Sequence, residues 1–162
     1  MDYKKEYIEQ VLLNLYIDHY HINFDYSVDV YDSVNLVNYR SNIDIIPIVF
    51  NRVYGSFYAN SVNLKTLMNS PVHVDGNFDC SSNLIESFEH CPKFIGGKFK
   101  VSNNLIKSLD FFPETINSSI NLSNNKLESL VGLPRVITGD LDISYNLLEK
   151  IDVSCDISGL IS

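Results

Sequence analysis

The sequence predicts an α/β repeat fold, a solenoid of about six short parallel strands with an N-terminal capping helix. Three observations point there. Asn83, Asn104, Asn125 and Asn146 recur every 21 residues, and Pro71, Pro92, Pro113 and Pro134 keep the same period. Between each Pro and the next Asn, inward positions alternate with polar ones, as in Ile137, Gly139, Leu141 and Ile143 against Thr138, Asp140, Asp142 and Ser144. Alternation with period two marks a strand with one buried face. A fixed period of this length marks one small unit stacked on copies of itself.

Residues 1–22 read as the capping helix. Tyr7, Ile8, Val11, Leu12, Leu15 and Tyr16 recur at three- and four-residue steps within a helical pattern over residues 3–20. Asp2 suits the N-cap, although Lys4 and Lys5 stand near the positive end of the helix. Its expected task is to cover the first coil, because an uncovered strand edge invites aggregation. A dimerisation or partner-binding helix is the alternative. His19 and His21 are too few for a metal centre, and no metal site is expected.

Residues 23–67 read as divergent first repeats. Val34, Leu36, Ile43 and Ile46 outline one unit closed by Pro47. Val53, Gly55, Phe57, Ala59, Leu64 and Leu67 hold the register of the next, with Val62 where Asn is expected. Residues 68–151 are the regular 21-residue repeats. Residues 152–162 read as a C-terminal partial repeat or cap, in which Ile157, Gly159 and Ile161 begin a further strand.

The residue types follow from stacking coils about 4.8 Å apart. Inward residues must be apolar, and corners favour Gly or Asn. Proline is confined to the connecting side, because it cannot donate to a central ladder. Cys80 stands where other units carry Val101, Leu122 and Ile143, so it reads as a small buried hydrophobe. The recurrent Asn carries both donors and an acceptor. Turned inward, the structural ladder Asn83, Asn104, Asn125 and Asn146 would satisfy backbone groups of its own and the neighbouring coil.

The motif Leu141-x-Ile143-x-x-Asn146-x-Leu148, repeated as Ile120-x-Leu122-x-x-Asn125-x-Leu127, resembles the leucine-rich repeat. The short period and the Pro before the strand look most like bacterial and bacteriophage members, and type-III-secreted effectors carry a similar unit. The resemblance spans roughly Val34 to Ile151. It implies a leucine-rich-repeat solenoid and protein–protein recognition through the strand face. This chain departs from the usual pattern at the strand entrance. There the apolar residue lies four positions before the first strand residue, not three.

Composition narrows the function classes. The net charge is −8, but from Leu64 to Ile151 ten acids nearly balance eight bases. No basic patch for phosphates stands out, so no direct nucleic-acid contact is expected. No stretch approaches a membrane span, and no apolar signal region follows Met1, so the chain is expected to be cytoplasmic, in the host cytoplasm if viral. Three cysteines without a CxxC pair indicate neither a disulfide framework nor a zinc site. His73 and His90 follow no motif that pairs them with a nucleophile, and Gly96-Gly97 lacks the spacing of a phosphate loop. The chain is therefore expected to be no enzyme and to need no cofactor.

Parity assigns the outward strand residues: Ser56 and Tyr58, Asn77 and Asp79, Lys98 and Lys100, Ser119 and Asn121, Asp140 and Asp142. The centre of this face is basic and acids flank it. Nine of the ten tyrosines precede residue 60, and Tyr31 and Tyr54 are expected to share the face with Tyr58. The candidate partner-binding residues are therefore Tyr31, Tyr54, Tyr58, Asp79, Lys98, Lys100, Asn121, Asp140 and Asp142. The expected function is a non-enzymatic module that binds and blocks or sequesters an unidentified protein partner. By analogy with the phage-like repeats, that module is a host-directed inhibitor. The alternatives are a structural protein that self-assembles through the N-terminal helix or the C-terminal edge, and, last, an acidic nucleic-acid mimic.

Overall fold

The computed structural model describes residues 2–37, 39, 42–151 and 156–162. Helix α1 (Tyr3–Asn14) opens the chain, with Asp2 as its N-cap. The Asp2 carboxylate accepts the Lys5 N–H at 3.2 Å, and that hydrogen bond above all holds the carboxyl below its usual pKa range. The helix is shorter than the sequence predicts. Tyr16 adopts a left-handed φ of 57°, and the N–H groups of Tyr16 and Ile17 donate to the carbonyls of Leu13 and Leu12. This Schellman ending stops α1 at Asn14, with tyrosine where glycine is usual. Residues expected to continue the helix instead form β1 (Tyr20–Ile22), antiparallel to β2 (Val28–Val30). Ile8, Val11 and Leu12 on α1, with Leu15 and Ile17 after it, join the single core and cap the first coil.

After β2 the chain winds as β3 (Val34–Asn35), β4 (Phe50–Val53), β5 (Phe57–Tyr58), β6 (His73–Val74), β7 (Phe78–Asp79), β8 (Phe94–Ile95) and β9 (Phe99–Lys100). It continues as β10 (Thr115–Ile116), β11 (Ile120–Asn121), β12 (Val136–Ile137), β13 (Leu141–Asp142) and β14 (Asp156–Ile157). Each regular coil thus carries two short strands where one is predicted. They lie on separate sheets. The first sheet runs β1-β2-β4-β6-β8-β10, and β12 pairs with β14 apart from it. The second sheet contains six strands, β3, β5, β7, β9, β11 and β13, all parallel. Ile161 bridges Leu141 at its far end.

The bend between the two strands explains the difference. A Cβ on Gly97 would lie 2.8 Å from the Gly76 carbonyl carbon and 2.9 Å from the Asn77 nitrogen, both backbone atoms of the preceding coil. Glycine there lets the coils close up while the chain turns, and Ser118 holds the same place in one coil. Because the bend keeps an even number of residues between buried positions, two strands read as one alternating run.

The interior is a set of axial stacks. Phe57 and Phe78 stack at 5.5 Å, Phe78 and Phe99 follow at 5.9 Å, and Ile120 and Leu141 continue the column, all buried. Cys80 lies fully buried beside them, and burial pushes its thiol well above the usual pKa.

Candidate functional site

Two kinds of periodic polar residue meet the chain's backbone, and they differ in what they leave free. The first is interior. The Asn83 carbonyl oxygen accepts the N–H groups of Val62 and Leu64 at 3.1 and 3.0 Å. Its amide nitrogen donates to the carbonyls of Ala59 at 2.7 Å and Cys80 at 3.0 Å. Asn104 repeats the pattern one coil on, accepting from Ile85 and donating to Cys80 and Val101. Asn125 bonds Ile106, Val101 and Leu122, and Asn146 bonds Leu127, Leu122 and Ile143. Asn83, Asn104 and Asn125 are buried, and Asn146 is half-buried. Each residue just before this column, Ser82, Asn103, Asn124 and Tyr145, takes a left-handed φ between 54° and 56° to aim the amide inward.

The second kind lies on the outer face of the second sheet, in two columns. In the first column, a short side chain accepts the N–H of the equivalent residue one coil later. Ser33 Oγ takes the Ser56 N–H and Ser56 Oγ takes the Asn77 N–H, both at 3.0 Å. Asn77 Oδ1 takes the Lys98 N–H at 2.8 Å. Further along, Ser119 Oγ takes the Asp140 N–H at 3.1 Å and Asp140 Oδ1 takes the Leu160 N–H at 2.9 Å. Lys98 has no acceptor to offer and interrupts the series.

In the second column, Asp79, Asn121 and Asp142 each hold a local turn. The side-chain oxygen accepts both the N–H and the hydroxyl of the serine two residues on, Ser81, Ser123 or Ser144, at 2.6–3.1 Å. Lys100 stands before Ser102 and cannot make that turn. Its Nζ instead lies 3.8 Å from Asp79 Oδ2. Lys98 makes no ion pair among the described residues. Both lysines are exposed. Tyr58 also breaks the pattern, and hydrogen bonds from the Ser56 and Asn77 side chains draw its phenol below the usual pKa.

Lys98 and Lys100 at one end, Ser119 and Asn121 in the middle, and Asp140 and Asp142 followed by Leu160 and Ser162 at the other end line a concavity of about 350 Å³. The structure thus brings five of the candidate residues, Lys98, Lys100, Asn121, Asp140 and Asp142, around one depression.

Tyr31 and Tyr54 lie outside this depression. They follow β2 and β4 at the bend between the sheets. Their rings pack 5.1 Å apart, and the Arg52 guanidinium sits 4.4 Å over Tyr54. Arg52 also reaches both carboxylate oxygens of Asp75 at 3.0 Å. His73 Nε2 lies 2.8 Å from Asp75, and the His73 ring stacks on Phe94 at 4.2 Å. Sequence reasoning missed this first-sheet cluster, because Arg52, His73 and Phe94 share a column but no residue type. The signal that could have found it is their common 21-residue spacing.

Among the described residues, no group of three or more His, Cys, Asp or Glu side chains is placed to hold a metal ion. No helix among them is long and apolar enough to cross a membrane. Comparison with protein-family models, curated proteins and solved structures found no match for this chain.

Proposed function

We propose that this chain is a non-enzymatic protein-binding module of the short leucine-rich-repeat type, which blocks or sequesters its partner through the outer face of the second sheet. One observation carries the reading. The coil holding β9 forgoes both backbone-bonding side chains that its neighbours use, and presents two exposed cations, Lys98 and Lys100, instead. Lys100 gains only a 3.8 Å ion pair with Asp79 in exchange and Lys98 gains none among the described residues, and a local rule broken for so little internal return is the mark of a working position. Capture on the immobilised protein, with mass-spectrometric identification, would supply the partner. Lys98→Glu/Lys100→Glu is then expected to weaken that partner's binding about tenfold or more, with Tyr58→Ala adding to the loss. Undiminished affinity in all three positions overturns the reading.

A second reading, self-association through the last coil, draws on its exposed apolar side chains: Leu147, Ile151 and Leu160 are 59, 66 and 78% exposed. Sedimentation at several concentrations tests it, and a monomer throughout removes it.

A further inference from the structure

The depression on the second sheet is electrically polarised along the solenoid axis, and the geometry points to its occupant: a partner helix carrying an acid and a base one heptad apart on one face. This inference rests on the protein-binding reading above and names the chemistry of that partner. The cationic wall, Lys98 and Lys100, stands on the coil of β9, and the anionic wall, Asp140 and Asp142, stands on the coil of β13. One coil, that of β11, separates them, so the walls are two strand spacings apart, about 9.6 Å. The intervening Ser119 and Asn121 are short, and the concavity of about 350 Å³ runs over them and on past the aspartates to Leu160 and Ser162.

The spacing selects the secondary structure of the occupant. In an extended strand, residues on one face lie about 6.6 or 13 Å apart, and neither distance spans the walls. On a helix, residues seven apart share a face and are separated by about 10.5 Å. A helix lying along the solenoid axis therefore sets an acid over the lysines and a base over the aspartates. A side chain from the turn between them enters the depression. Arginine suits the base, since its fork matches a carboxylate. The anionic wall is already held: Asp140 Oδ1 accepts from Leu160 and Asp142 Oδ1 from Ser144, and neither Oδ2 has a hydrogen bond among the described residues. A helix can lie in either direction, so the acid comes first in the partner's sequence in one orientation and second in the other.

The test uses three end-capped, alanine-rich synthetic helical peptides of identical composition. Each has one Glu and one Arg on the same face, separated by four, seven or eleven residues. Fluorescence anisotropy against the full chain is expected to give the seven-residue peptide about fivefold tighter binding than the other two. Lys98→Gln/Lys100→Gln and Asp140→Asn/Asp142→Asn are each expected to erase that preference. The asparagines keep the Oδ1 acceptor, so thermal denaturation should show the fold unchanged in the second variant. Equal affinity for the three peptides, a preference that survives either double variant, or no binding up to about 1 mM overturns the inference. If the captured partner depends on Lys98 and Lys100 but ignores Asp140→Asn/Asp142→Asn, the binding-module reading stands and the polarised helix site falls.

Discussion

The inward and outward polar columns share a period and differ in composition. Inside, Asn83, Asn104, Asn125 and Asn146 occupy one position in four successive coils. Outside, the equivalent positions read Asn77, Lys98, Ser119, Asp140 in one column and Asp79, Lys100, Asn121, Asp142 in the other. In these four coils the interior demands the same kind of hydrogen bond, and where burial excludes water one residue type meets it; the preceding coil carries Val62 in that place. The outer face asks less of its side chains, because solvent satisfies what they do not. Variation there is affordable, and it is where binding specificity can be written without undoing the fold.

The largest effect should come from breaking the interior column at its centre. Asn104→Ala strands the buried Ile85 N–H and removes one of two amide donors from each of the Cys80 and Val101 carbonyls, which keep Asn83 and Asn125. It is expected to cost about 2 kcal/mol, read by chemical denaturation. Asn146→Ala removes the same set of bonds where the residue is only half-buried, so water replaces part of them. Its expected cost is about 1 kcal/mol, and equal losses at the two sites would contradict the role given to burial. The smallest effect lies outside both columns, at the helix cap. The Asp2 carboxyl is held below its usual range by the Lys5 N–H. A carboxyl with a lowered folded-state pKa stabilises the fold above its unfolded value, and that contribution is lost as pH falls through the folded value. Asp2→Asn keeps a capping acceptor and should flatten the acid-side decline of the helical circular-dichroism signal. An unchanged decline removes the cap from the account.

Much of the fold was legible because the coil is periodic and its inward residues are apolar. The amide column was legible because a buried Asn at every twenty-first residue has few other uses. What sequence reasoning misjudged has physical causes. The two strands per coil merged into one because glycines such as Gly97 and Gly139 preserve parity through the bend. The end of α1 was hidden because Tyr16, not glycine, takes the left-handed position. The outward residues were identifiable by parity, but their second task was not. That Asp142 holds a turn with Ser144, or that Ser119 caps the Asp140 N–H, depends on contacts between coils that only coordinates supply. For that reason the exceptional character of Lys98 and Lys100 became visible only against their neighbours.

The central claim is that these two lysines give up local stability for binding. The most direct measurement restores the rule: Lys98→Ser/Lys100→Asn gives the coil of β9 the side chains its neighbours carry, and its melting temperature and partner affinity are measured together. The variant is expected to be about 0.5–1 kcal/mol more stable and to have lost most of its affinity. A variant that is no more stable and binds as tightly as before would contradict it.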